Sequence, residues 1–389
     1  MRRFVIKIVS RETKGRIKMS MFTKQDLLRF QAESLDDKFQ RTLAKVSEWY
    51  ARWNNEVYVS FSGGKDSTVL ADICARWCKV IGCPLYLVFV DTGLEYPEIR
   101  QQVKFFAEWL REKYGIEVVL DIIRPKMRFD EVIKKHGYPI ISKAVANAVE
   151  TTRHKIRFGG NFETVRVQQL LGTYKGTRQD GKRSKFDKTK YKPLLDVDFN
   201  ISDRCCAVMK KAPLKEWEKK NKKYPIVATM ADESIHREAE WMKSGCNGFD
   251  MKRPTSKPIS FWTEQDIYHY IKARNIPIAS VYGDIVYAEQ PEQMRIEDFG
   301  ISDCGSEKLK TTGCERTGCI FCGFGCHLYQ REPTRFQQLK QTHPRQYEYC
   351  IGGGEYDENG LWQPNKKGLG LGHIFDELNE IYGDDFIKY

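Results

Sequence analysis

The run Ser60-Phe61-Ser62-Gly63-Gly64-Lys65-Asp66-Ser67-Thr68 follows a short apolar stretch, Val57 to Phe61, and opens a segment of helical periodicity, Ser67 to Val80. A strand that turns through paired glycines directly into a helix sets the backbone up for an anion. Glycine lets the chain come close to a ligand, and the helix N-terminus supplies free N–H groups and a positive dipole end. The hydroxyls of Ser60, Ser62 and Ser67 can donate to phosphate oxygens, and Lys65 adds charge. Asp66 would repel phosphate directly, so its expected role is to hold Mg²⁺ or to orient the loop. The run has neither G-x-x-x-x-G-K-[ST] spacing nor a G-x-G-x-x-G turn. The bland alternative is an ordinary glycine turn.

Around this loop, short apolar runs alternate with helical patterns. Val57 to Phe61, Leu85 to Val90, Ile116 to Ile123 and Pro225 to Thr229 read as strands; Ser67 to Val80 and Tyr96 to Tyr114 read as helices. Buried strands separated by helices predict an α/β fold, a parallel twisted sheet with helices on both faces. Ligands of such sheets sit outside the carboxyl ends of the strands. The expected organisation is a basic tail over 1–22, one N-terminal amphipathic helix within 23–55, a nucleotide-binding α/β domain over 56–280, and a cysteine-rich region over 281–389. A further helix is expected from Thr263, its N-cap, to Asn275.

The chain of 389 residues carries a net charge of +12, which favours an anionic partner. Between Thr151 and Lys192 stand 12 Lys or Arg against 3 acids, giving +9, with Phe158, Phe162, Tyr174, Phe186 and Tyr191 interleaved. This basic insertion, 151–192, reads either as an arm lying along tRNA or DNA with rings for base stacking, or as a solvated surface insertion. No run of about 18 apolar residues is present, and the opening is too short and interrupted for a secretory signal, so a cytoplasmic location without a membrane partner is expected.

Twelve cysteines in a chain of this size point to thiolate chemistry or metal ligation rather than to a disulfide framework. Cys314-x4-Cys319-x2-Cys322-x3-Cys326-His327 gathers four thiols, and a two-residue spacer lets Cys319 and Cys322 reach one metal. A tandem pair, Cys205-Cys206, lies far upstream. Iron–sulfur, zinc and unligated thiols are all open on spacing alone. The ligand set is expected from Cys206, Cys319 and Cys322, with Cys205 and Cys314 competing for the last place.

The loop Ser62 to Ser67 resembles the signature of the PP-loop ATP pyrophosphatases, a fold of the adenine nucleotide alpha hydrolase type. With Val90-Asp91-Thr92-Gly93-Leu94-Glu95-Tyr96-Pro97-Glu98, Ala231-Asp232-Glu233-Ser234 and Arg237, and Trp262 to Pro277, the chain looks most like the phosphoadenosine-phosphosulfate reductase family. The resemblance runs from about Glu56 to Cys326. It implies adenine-nucleotide contacts at Asp91 and at Glu233, Ser234 and Arg237, although Met230 stands where the family carries a basic residue. It also implies a [4Fe–4S] cluster on the tandem pair and the distant C-x-x-C, as in the adenylylsulfate-reducing branch.

Two reactions fit that resemblance. In one, ATP with Mg²⁺ adenylates a substrate oxygen, releases pyrophosphate, and sulfur transfer follows, with a nucleic acid as acceptor and a sulfur-donor protein as partner. In the other, a cysteine attacks phosphoadenosine phosphosulfate. The reductases carry that cysteine in a C-terminal E-C-G-x-H motif, which this chain lacks. The expectation is therefore ATP-dependent activation, with Asp66 and Lys65 as its catalytic residues. A nucleotide- and nucleic-acid-binding regulator without chemistry is the non-enzymatic alternative.

Overall fold

The computed structural model describes residues 21–176, 184, 186–288, 308–329 and 332–389. Most of the expected tail, all of residues 177–183 and 185 of the basic stretch, and Cys304 lie outside these residues.

Two helices open the fold, α1 (Lys24–Gln31) and α2 (Leu35–Arg52), where one had been expected. Ser34 divides them: it adopts an extended backbone and its hydroxyl accepts the N–H of Asp37 at 3.2 Å, so a fresh helix starts there. The sheet strands are β1 (Val57–Ser60), β2 (Leu85–Val90), β3 (Val118–Ile123), β5 (Tyr224–Val227), β6 (Asn247–Gly248) and β7 (Thr255–Ser256), in the order β3-β2-β1-β5-β7-β6. All neighbours run parallel except β6, which is antiparallel to β7. Helices α3 (Lys65–Ile81), α4 (Pro97–Tyr114), α9 (Ile235–Ser244) and α10 (Glu264–Arg274) complete this unit. The chain leaves β1 toward β2 and β3 and later returns to the other side of β1 at β5. The β1/β5 boundary is thus where strand order reverses, and the crevice at the carboxyl ends of these two strands is the preferred ligand site of such sheets.

The buried carboxylate Asp72 on α3 ties this unit together. It accepts from Tyr114 OH at 2.7 Å and Tyr270 OH at 2.9 Å, with the Lys113 ammonium at 3.3 Å. Lys38 on α2 lies between both oxygens of Asp266 at 2.8 Å, and the pair is almost fully buried.

A second core lies beside the first. Helices α5 (Phe129–His136), α6 (Lys143–Phe158), α7 (Val165–Leu171) and α8 (Ala212–Asn221), and the two-residue strand β4 (Ile140–Ile141), carry its first half. Its other half comes from α11 (Arg335–Thr342), α12 (Pro344–Ile351) and α13 (Leu371–Tyr382). Val149, Leu170, Phe199, Phe336, Phe375 and Leu378 bury together there. The expected boundary at 280 therefore does not separate two bodies, because residues 129–209 share their core with the C-terminal helices.

The basic stretch is partly built into the same core. It begins in the middle of α6 and includes α7, both packed on this core. Arg153 is spent inside the protein: its guanidinium donates to the carbonyls of Leu194, Leu195, Val197 and Phe199 at 2.6 to 3.0 Å. Phe158, Phe162 and Tyr174 remain exposed, with Arg157 over the Phe158 ring at 5.2 Å.

Candidate functional site

The predicted phosphate loop falls at the carboxyl end of β1. Gly63 has φ +74°, and a Cβ there would meet side-chain methyls of Ile99 and Val103 at 2.9 Å, so both conformation and space demand glycine. Gly64 is the N-cap of α3. The Ser62 and Ser67 hydroxyls lie 3.0 Å apart, the Ser62 amide donates to Ser67 Oγ at 3.2 Å, and Ser67 donates to the Gly64 carbonyl at 2.9 Å. These bonds fix the loop from within.

Of the first four amides of α3, that of Thr68 bonds the Gly64 carbonyl and that of Lys65 donates to Tyr282 OH at 3.1 Å. The amides of Asp66 and Ser67 find no acceptor among the described residues. Two unspent N–H groups on the first turn of a 17-residue helix are what an anion requires. The side chain of Lys65 differs from expectation. It is buried, its ammonium 3.1 Å from Asp66 and 3.0 Å from Glu264, over the ring of Tyr268. Burial works against its charge, but Asp66 and Glu264 overcome that and hold its pKa above the ordinary lysine value. Asp66 is raised, by burial first, against the pull of Lys65, with Glu233 and Glu264 adding to the rise. Asp66 and Glu264 thus flank one lysine beside the free amides, with Glu233 near enough to raise Asp66 further.

The remaining expected contacts lie past the carboxyl ends of β2 and β5. Asp91, just past β2, is held by Arg100 at 2.6 Å and Arg124 at 3.3 Å. Glu233, on the turn after β5, accepts the Met230 amide at 2.9 Å and pairs with Arg237. Ser234 caps α9, accepting the Arg237 amide at 3.4 Å. Arg237 therefore reaches the turn from the next helix, but its charge is already matched by Glu233. Glu264, Tyr268, Tyr282 and Thr317 were missed by sequence reasoning. Only the acidic first turn of α10 hinted at Glu264.

The thiols gather elsewhere in the second core. Cys205, Cys206, Cys319 and Cys322 line one cavity of about 20 Å³ with Leu94, Phe129, Pro139, Met209 and Lys210. A π-helical turn, Ala207–Lys211, runs from the tandem pair into α8. On the other side, the Ile320 amide bonds the Leu94 carbonyl at 2.8 Å, and the two-residue strand Gly323–Phe324 pairs with β4. Cys206 is lowered by a hydrogen bond from the Cys205 thiol and by the nearby ammoniums of Lys143 and Lys210, against burial. Burial pushes Cys319 up to about 11. Four sulfurs from two distant segments, with two cations to offset thiolate charge, suit a thiolate-bound metal centre. Cys314 is not among them: it donates to Gln338 Oε1 at 3.5 Å, against Tyr96.

Among the described residues, no helix is long and apolar enough to cross a membrane.

Residues 56–157 and 163–323 match the family model described as phosphoadenosine phosphosulfate reductase domain. Two uncharacterized proteins of Methanocaldococcus jannaschii are 33% identical over 128 residues and 31% identical over 138 residues, covering 32% and 35% of this chain. The chain spans only 28% and 27% of their lengths. Sulfate adenylyltransferase subunit 2 of Bacteroides thetaiotaomicron is 23% identical over 299 residues, 72% of this chain and 80% of that one. Among solved structures, the U34-tRNA thiolase NcsA from Methanococcus maripaludis with its [4Fe-4S] cluster is 15% identical, with 67% of this chain and 70% of that one covered, at a TM-score of 0.31.

Proposed function

The chain belongs to the phosphoadenosine phosphosulfate reductase domain family, and from that premise we propose that it binds ATP at residues 62–67 and adenylates a substrate, with sulfur transfer as the second half-reaction. The observation that carries the reading is the pair of unspent amides, Asp66 and Ser67, at the point of the sheet where strand order reverses. Similarity to sulfate adenylyltransferase subunit 2, whose name states an adenylyl transfer, supports the first half-reaction.

In the proposed chemistry a substrate oxygen attacks the α-phosphorus of ATP. The bond to the bridging oxygen breaks, and pyrophosphate leaves with that electron pair. A sulfur nucleophile then attacks the activated atom and AMP departs, a far better leaving group than hydroxide. The protein's part is to fix and neutralise the phosphates. The amides of Asp66 and Ser67 and the hydroxyl of Ser62 donate to the outgoing pyrophosphate, where charge develops, while Ser67 Oγ, bonded to the Gly64 carbonyl, keeps the loop in shape. Asp66 would hold Mg²⁺ together with the phosphates themselves, and the ion screens the phosphate charge when bound. Asp91, Ser234 and Arg237, past the carboxyl ends of β2 and β5, would supply the remaining nucleotide contacts.

Cys205, Cys206, Cys319 and Cys322 would hold a [4Fe–4S] cluster, which supplies a redox-capable thiolate-bound centre and a staple between the two segments. The cluster reading rests on the donor set, four thiols drawn from a tandem pair and a distant C-x-x-C.

The reductase reading needs a thiolate nucleophile, and Cys350, the C-terminal cysteine, is fully buried with its pKa driven far up by burial. Exposed rings at Phe158, Phe162 and Tyr174, the first with Arg157 over it, favour a single-stranded region of tRNA or DNA as acceptor. A sulfur-donor protein completes the scheme. The deciding assay is pyrophosphate release from ATP by anaerobically purified protein. Thiol-dependent sulfite release from the phosphosulfate nucleotide would establish the reductase instead, and ATP binding without turnover would leave a regulator.

A further inference from the structure

The thiol cavity and the phosphate loop belong to different cores, yet one short segment touches both. Thr317 stands between Cys314 and Cys319, and its hydroxyl lies 2.6 Å from Tyr282 OH, which accepts the Lys65 amide at 3.1 Å. The phenol thus takes the first N–H of α3, one of the groups that a phosphate would otherwise contact. Tyr282 is buried on a 3-10 turn after α10, and its segment is bonded to the cysteine loop. The amides of Gly313 and Cys314 donate to the carbonyls of Tyr282 and Val281 at 2.8 and 2.9 Å. A Cβ on Gly64 would meet Tyr282 OH and Thr317 Oγ1, each at 3.2 Å, so the pair presses on the N-cap itself.

From this geometry we infer that Tyr282 and Thr317 are positioning residues through which the thiol centre sets the shape of the phosphate loop. Thr317 is two residues from Cys319, a length of chain that spans at most about 7 Å. Any movement of Cys319 as sulfurs are gathered around a metal, or released from it, is passed to Thr317 and on to the oxygen that caps α3. A second strap works in the same direction: the Ile320 amide holds the Leu94 carbonyl, and Leu94 lies in the loop that follows β2. The link deepens the nucleotide reading above and rests on it for its consequence, but the contact itself does not depend on what the loop binds.

The direct test is hydrogen exchange at the Lys65 amide in anaerobically purified, metal-loaded protein. Tyr282→Phe removes the acceptor and should speed exchange about tenfold or more, while Thr317→Val, equal in size, should speed it several-fold. Stripping the metal from the wild type should speed it as well, and the stripped Thr317→Val protein should gain little more. Unchanged exchange in Thr317→Val would overturn the inference, even if the stripped protein fails to stay folded. The second arm measures ATP affinity: metal removal should change it several-fold in the wild type and much less in Thr317→Val. Exchange that responds while ATP binds to none of the proteins would sink the nucleotide reading and leave the link standing.

Discussion

The ammonium of Lys65 lies 3.0 Å from Oε1 of Glu264, although the two residues come from helices on opposite sides of a long stretch of chain. Glu264 and Asp66 between them neutralise the one lysine of the phosphate loop. The positive charge facing a nucleotide must then come from backbone amides and from a cation on the carboxylates, not from Lys65 alone.

Asp66→Asn keeps the size of the side chain and removes its charge. Pyrophosphate release from ATP should fall by about two orders of magnitude, while circular dichroism and thermal unfolding stay close to wild type. Turnover within a few-fold of wild type would remove Asp66 from the mechanism.

Anaerobically purified protein should be brown and contain iron and acid-labile sulfide. Cys206→Ser and Cys322→Ser should each lose most of that colour, because both sulfurs line the thiol cavity. Cys314→Ser should keep it, since that thiol faces Gln338. A colourless, zinc-loaded wild type would contradict the cluster reading.

Arg153→Ala leaves four carbonyls without their donor. A loss of about 2–4 kcal/mol in denaturant unfolding is expected. Nucleic-acid affinity of the folded fraction should not change, which separates this internal arginine from the basic residues around it.

Replacing both Phe158 and Phe162 by Ala should weaken binding of single-stranded RNA or DNA by about tenfold. Stability should barely move, because both rings are exposed. Equal binding by wild type and variant would return this stretch to the solvated-surface reading.

Asp198, His373 and Glu377 meet where α13 crosses the loop after the basic stretch, with Asp198 3.3 Å from His373 Nε2. Burial first, then its hydrogen bond to Asp198 and that carboxylate's charge, hold Glu377 up to about 7. The folded state therefore binds this proton more tightly than the unfolded chain does. The stability gained is complete below the unfolded value near 4.5 and is lost as pH rises through about 7. Asp198 is lowered and acts oppositely in acid, so the two carboxyls titrate as a pair. Glu377→Gln should flatten the fall in melting temperature between about pH 5 and pH 8. An unaltered slope would show that other groups set it.

Local signals in the chain were enough for the α/β class, the strand before the glycine pair, the helix after it, and the C-x-x-C as half of a thiol centre. These follow from periodicity, turn chemistry and residue spacing, which act over a few residues and survive without a fold. The break at Ser34 was equally local, but the regular apolar spacing on both sides of it hid the cap. Tertiary structure alone decided that Cys205, not Cys314, joins Cys206, Cys319 and Cys322, and that Arg153 is consumed inside the second core. It also decided that Tyr282 and Thr317 sit on the first amide of α3. Each of those outcomes depends on which distant segments share a core, and burial of apolar surface, being non-directional, leaves no mark at the residues it brings together.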